Sequence, residues 1–199
     1  MSKTKTQTAQ ASARKHRRAD AERNTTAIIT AALEGLANDP DVSMAEIARR
    51  AGVVRATVYM HFPTRESLLD AVMEYATALV ADATRAAEPE RGEPQEALER
   101  VLLATWRQLA QFHSVLQINI NRLSAKELRR RHLPVTTQIV PLLERGQAGG
   151  VFRDDVSPDW LIAVVRAIVH VASTELQAGR LSDADVERTM LTTAFAAIS

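Results

Sequence analysis

The residues best suited to chemistry lie in one short stretch, Arg55-Ala56-Thr57-Val58-Tyr59-Met60-His61-Phe62. Their chemistry is recognition rather than bond making. Val58 and Phe62 are four apart and share one helical face, while Arg55, Ala56, Tyr59 and Met60 fall on the opposite side. A helix laid in the major groove of DNA needs a small residue for close approach. It also needs cations for phosphate or guanine, and hydroxyls that donate to phosphate oxygens. Arg55, Ala56, Thr57, Tyr59 and His61 meet those needs.

A stretch this short must be held by its neighbours. Ser43 with Glu46 three residues later reads as a capping box that starts a helix, whose inward face carries Ile47, Ala48 and Ala51. Gly52 follows at once, supplying the left-handed backbone of a tight interhelical turn before the helix from about Arg55 to His61. An earlier helix is expected over Asn24 to Ala37, with Ile28, Ala32 and Leu36 in one row and Ile29 and Leu33 beside it. Thr25 and Thr26 at its start fit either a helix cap or a phosphate site. Beyond Pro63, Thr64 caps a long helix to about Ala87. Arg65 in its first turn is a cation at the positive end of the helix dipole, which asks for a partner such as a phosphate.

Gly52-Val53, Thr57, Tyr59, His61-Phe62 and Arg65-Glu66-x-Leu68, preceded by Ile47-Ala48, resemble the DNA-binding domain of the TetR family of bacterial transcriptional regulators. The resemblance covers residues 23 to 70. It implies an all-α chain: an N-terminal three-helix domain with a helix-turn-helix, and a larger helical ligand-binding and dimerisation domain. On that basis Arg55, Ala56, Tyr59 and Met60 are expected to face bases, and Thr57, Tyr59, His61 and Arg65 to hold phosphates. Two departures stand out. Val54 occupies the place of a capping serine or threonine, at a cost of about 1 kcal/mol to the helix that follows. The loop Asn38-Asp39-Pro40-Asp41 is short and lacks a glycine.

Net charge is +1, but residues 1–68 carry 11 Lys/Arg against 7 Asp/Glu and residues 69–199 carry 14 against 17. The basic excess accompanies the proposed DNA-binding half, as counterion release requires. Residues 1–22 contain Arg14-Lys15-His16-Arg17-Arg18 and no apolar periodicity, so a disordered basic arm is expected, either solvated or following the DNA backbone. The absence of cysteine fits a reducing cytoplasm, and neither a signal segment nor a membrane span is read. There is no G-x-S-x-G, H-E-x-x-H, Walker or Rossmann pattern, and the five histidines lack metal-ligand spacing. No catalytic residue, metal or cofactor is expected.

The expected domains are 23–68 and 69–199. Within the second, the polar loop Glu88 to Pro94 separates further helices: Gln95 to Phe112, Val115 to Leu123, a short one from Ser124 through Arg131, and Pro134 to Gln147. A strong start at Ser157-Pro158 opens the next, and Ser182 starts the last. Gly146 with Gly149-Gly150 reads as a helix end and turn, and Arg129-Arg130-Arg131 as a solvated helix end. Trp106, His113, Gln117, Asn121, Arg166 and His170 interrupt apolar helices, the mixture a ligand pocket needs. The resemblance implies a small hydrophobic or amphiphilic inducer there. The last two helices are too apolar for one monomer to bury, which points to a homodimer reading a palindromic operator. The rival reading is a helical ligand-binding or protein-interaction module without operator binding.

Overall fold

The computed structural model describes residues 2–199, with the side chains of 19–109, 112, 114, 115, 117–119 and 122–199. Among the described residues all regular structure is helical: α1 (Ser2–Asn38), α2 (Met44–Arg50), α3 (Arg55–His61), α4 (Arg65–Ala86), α5 (Pro94–Gln111), α6 (His113–Arg122), α7 (Ala125–Ala148), α8 (Pro158–Gln177) and α9 (Asp183–Ile198). Two compact units, 1–72 and 73–199, divide within α4. No helix of the described residues is long and apolar enough to cross a membrane.

The core of the first unit holds Ile28, Ala31, Ala32, Leu33 and Leu36 of α1, Ile47 and Ala48 of α2, Val58 of α3, and Leu68, Leu69 and Val72 of α4, all buried, with α2 lying against both α1 and α3. Ser43 accepts from the Glu46 amide and so starts α2. The second half of the expected capping box does not form. The Glu46 carboxylate turns instead to Arg49 and Arg50, and their hydrogen bonds hold it at about 2. Gly52, at φ +67, makes the turn into α3. Thr64 and Ser67 cap α4 reciprocally, each side-chain oxygen accepting from the other's amide at 3.1–3.2 Å.

Composition pointed to a disordered arm through residue 22, whereas α1 runs unbroken from Ser2. Residues 2–23 contain no glycine or proline and are rich in alanine, arginine and lysine, which are strong helix formers. Once burial anchors residues 28–36, the helix propagates outward without a second nucleation. The cluster Arg14-Lys15-His16-Arg17-Arg18 has side chains outside the described residues. Thr25 and Thr26 lie inside this helix, donating to the carbonyls of Ala21 and Glu22, so the free helix-end amides expected beside them are absent.

In the second unit, α5, α7, α8 and α9 enclose a core of Leu98, Val101, Trp106, Leu142, Leu143, Leu161, Val165, Met190 and Ile198, among others. Its largest difference from the sequence reading is α7, which continues through Pro134 and Pro141 where two helices were expected. An interior proline removes one helix hydrogen bond and costs about 3 kcal/mol in isolation. Here both prolines face solvent, so the carbonyls they leave unpaired can meet water while the opposite face stays packed. Gly146 is a further correction: it lies within α7, and a Cβ there would stand 2.1 Å from Cδ2 of the buried Phe152 ring. Its missing side chain admits that ring. Arg145 and Arg100 fasten the 87–93 loop, Arg145 donating to the carbonyls of Glu90 (2.7 Å) and Pro89 (3.1 Å) and Arg100 to that of Arg91 (2.7 Å).

Candidate nucleic-acid interface and ligand cavity

α3 buries Val58 completely and leaves Arg55, Ala56, Tyr59 and Met60 exposed, Met60 at 72%. This is the division that the four-residue spacing predicts. The helix starts at Val54 with no side-chain cap. Arg55 and Tyr59, one turn apart, are joined. The guanidinium carbon lies 5.3 Å from the ring centroid and Nη2 donates to the tyrosine hydroxyl at 3.2 Å. Stacking holds the guanidinium over a planar ring and limits its rotamers, so less entropy is lost when it binds. Thr57 is half-buried beside this face.

Two residues expected at phosphates have other occupations. His61 turns inward, with Nδ1 3.1 Å from Thr25 Oγ1 on α1. The Thr25 hydroxyl already donates to Ala21, so the imidazole Nδ1–H is the donor. Its Nε2 is buried and has no hydrogen-bond partner among the described residues. His61 therefore pins α3 to α1. The partner of Arg65 is the α1–α2 loop: Nη2 donates to the Pro40 carbonyl at 2.7 Å, and Nη1 donates to that of Val42. Hydrogen bonds from charged groups contribute about 1.5–3 kcal/mol each when shielded, and less at this half-buried site. Replacement of Arg65 by alanine is expected to lower stability by about 1–3 kcal/mol and to weaken DNA binding on all sequences alike. Thermal unfolding checks this, because loss of a phosphate contact alone would leave the melting temperature unchanged.

A cavity of about 350 Å³ lies in the second unit among α4, α5, α7 and α8, with walls such as Met73, Val80, Leu98, Ile139, Ile162 and Val169. Of the six residues expected at a ligand pocket, Arg166 and His170 line this cavity. Trp106 does not; it is 4% exposed and fills the core. Gln117 stands behind the lining, its Nε2 3.3 Å from His170 Nε2. The side chains of His113 and Asn121 lie outside the described residues. Sequence reasoning missed His132 and Arg129 on α7, and Thr77, Thr105 and Ser173. The signal was present as Leu128, His132, Val135, Ile139 and Leu143, a stripe of helical period hidden by the assumed break at Pro134.

His132 donates from Nδ1 to the Leu128 carbonyl at 2.6 Å, and burial together with the positive charge of Arg166 pushes its pKa down. Arg129 on its own helix and Arg166 and His170 on α8 are the other titratable or charged groups at the cavity. A histidine with a lowered folded pKa contributes stability that is complete above its ordinary value of 6.5. That contribution is lost as pH falls through the folded value. Stability is therefore expected to decline below about pH 6.5, and His132→Gln to flatten the decline. Melting temperatures of both proteins across that range check it; Glu46 and Glu127, held at about 2 by their arginine partners, do not titrate there.

Residues 28–72 match the family described as bacterial regulatory proteins, tetR family, and residues 94–192 match a tetracyclin repressor-like C-terminal domain. The HTH-type transcriptional repressor LfrR of Mycolicibacterium smegmatis is 38% identical over 81 residues, 41% of this chain and 43% of that repressor, so the match spans under half of its length. The HTH-type transcriptional regulator NfxB of Pseudomonas aeruginosa is 28% identical over 132 residues, 65% of this chain and 70% of its own. The structure of LfrR in complex with proflavine superimposes with a TM-score of 0.72 at 25% identity, over 87% of this chain and 94% of the other. With Arg55, Ala56, Tyr59 and Met60 exposed on α3, a turn at Gly52 and both halves of the chain matched, this protein belongs to the TetR family of bacterial transcriptional regulators.

Proposed function

We propose that the protein is a homodimeric repressor that binds a two-fold symmetric operator through α3 and is released when a small molecule enters the cavity of the second unit. The α3 face carries this reading. Arg55 is stacked on Tyr59, Ala56 allows close approach, and Met60 offers an apolar surface to a thymine methyl. Thr57 and Tyr59 supply hydroxyls for phosphates. His61 and Arg65 act through the position of α3 and of the α1–α2 loop.

An exposed apolar stripe on α8 supports the dimer. Trp160 and Val171 are 60% and 59% exposed, and Val164, Ala167 and Ile168 lie between them at helical spacing. A monomer rarely leaves such a stripe in water, and a second copy covers it. The ligand step rests on the cavity and on α4, which contributes Leu68 and Val72 to the first core and Met73, Ala76 and Val80 to the cavity wall. LfrR, whose structure contains proflavine, is a relative in which such a ligand is seen.

Selection of bound duplexes from a random library at about 0.15 M salt tests the function. A two-fold consensus is expected, with half-sites about 34–36 Å apart or a multiple of that. A folded dimer that enriches no motif would overturn operator binding and favour a helical ligand-binding or protein-interaction module, the outcome that the uncapped start of α3 would explain.

A further inference from the structure

The charged groups lining the cavity in the second unit are all of one sign. Among the described residues the lining holds Arg129 and Arg166 but no aspartate or glutamate. Both arginines are exposed, which places them where the cavity opens, on the two adjoining helices α7 and α8. Neither has a hydrogen bond or ion pair among the described residues, although their neighbours do. Arg130 and Arg131 share the Glu127 carboxylate at 2.7 and 2.8 Å, so that carboxylate is already occupied and leaves Arg129 to other partners.

The interior has the opposite character. Its walls are mostly apolar, aliphatic side chains with Phe112, and the Thr105 hydroxyl, deep among them at 6% exposure, spends its hydrogen on the Val101 carbonyl at 2.8 Å. The Thr136 hydroxyl likewise turns to its own helix at the His132 carbonyl. These two hydroxyls are satisfied by backbone carbonyls and ask nothing of a ligand. An apolar chamber with two guanidiniums at its opening matches a molecule with a hydrocarbon body and an anionic head. It penalises a cationic head, which would meet like charges at the place where it must stop.

We infer that the ligand of this cavity is an anionic amphiphile, a carboxylate on a hydrocarbon chain, with its head between Arg129 and Arg166 and its chain among Met73, Val80, Leu98 and Ile139. This rests on the reading of the cavity as the ligand site. A carboxylate accepts two parallel hydrogen bonds from a guanidinium, which the alcohol of equal length cannot. Burial and the Arg166 charge hold the His132 pKa below its ordinary 6.5, which disfavours a third cation beside the two arginines, and an arriving carboxylate would favour its protonation.

Isothermal titration of the full chain with octanoate, 1-octanol and octylammonium separates the possibilities. Octanoate is expected to bind about tenfold or more tighter than either of the others, a difference of about 1.4 kcal/mol. The double variant Arg129→Gln/Arg166→Gln is expected to bring octanoate down to the level of 1-octanol while leaving 1-octanol unchanged. Each single variant gives the same readout at smaller size should the double variant lose its helical circular dichroism. Octylammonium binding as tightly as octanoate, or a carboxylate preference that survives both substitutions, would overturn the anionic head while leaving the cavity a ligand site. Absence of saturable binding for all three compounds would overturn the ligand-site reading and the head group with it.

Discussion

Replacing Arg55 by alanine is expected to lower affinity for the selected operator by about 2–6 kcal/mol per dimer. A bidentate contact to a base carries roughly 1–3 kcal/mol of discrimination, and a two-fold dimer makes it twice. Affinity for unrelated duplex should fall far less, because that binding rests on phosphate contacts and on the counterions they release. Tyr59→Phe serves as the companion. It keeps the ring over which the guanidinium lies, 5.3 Å from its centroid, and removes only the hydroxyl that accepts from Nη2. A smaller loss of affinity with preserved base preference is the expected result. Competition binding against operator and against random duplex at one salt concentration reads both quantities. An Arg55→Ala protein that weakens on all sequences equally would assign Arg55 to the phosphates instead.

Gly146→Ala is expected to destabilise the second unit by about 3 kcal/mol, the upper end of what overpacking costs a rigid core. The new methyl would stand 2.1 and 2.3 Å from two carbons of the Phe152 ring. That ring cannot retreat. It is 3% exposed within the main cluster, and the chain just after it is tied down by the Arg153 amide, which donates to the Ile198 carbonyl at 2.8 Å. Gly150→Ala offers the contrast. Nothing lies within 4 Å of its added Cβ, and only its φ of +68 opposes the change, a strain of roughly 1–2 kcal/mol. Thermal unfolding should therefore separate the two alanines clearly, and Phe152→Leu combined with Gly146→Ala should recover part of the loss by freeing the space.

Elements whose signals are local were legible in the chain alone. Ser43, Ser124, Ser157 and Ser182 each accept from the amide three residues on, as their positions before apolar runs implied. The division of α3 into Val58 inside and Arg55, Ala56, Tyr59 and Met60 outside follows from a period of 3.6 residues and needs no partner to be known. Cap, turn glycine and recognition face lie within 20 residues of one another, so chain-local geometry suffices to assemble them. Their match to a family pattern arises from the same compactness.

Features that depend on elements meeting across long separations were set by packing. Propensity says that Pro134 ends a helix, and packing of Leu142 and Leu143 against α5 and α8 overrides it. With that break assumed, the stripe holding His132 was invisible and Arg129 looked like one more solvated cation. Arg65 showed from its place in the helix dipole that it needed a partner, but not that the partner was the backbone of Pro40 and Val42. Trp106 and His170 are both polar-tipped rings on apolar helices. One fills the core and the other lines a cavity, because burial of a ring is favourable in either place and only the neighbouring helices set which space is filled.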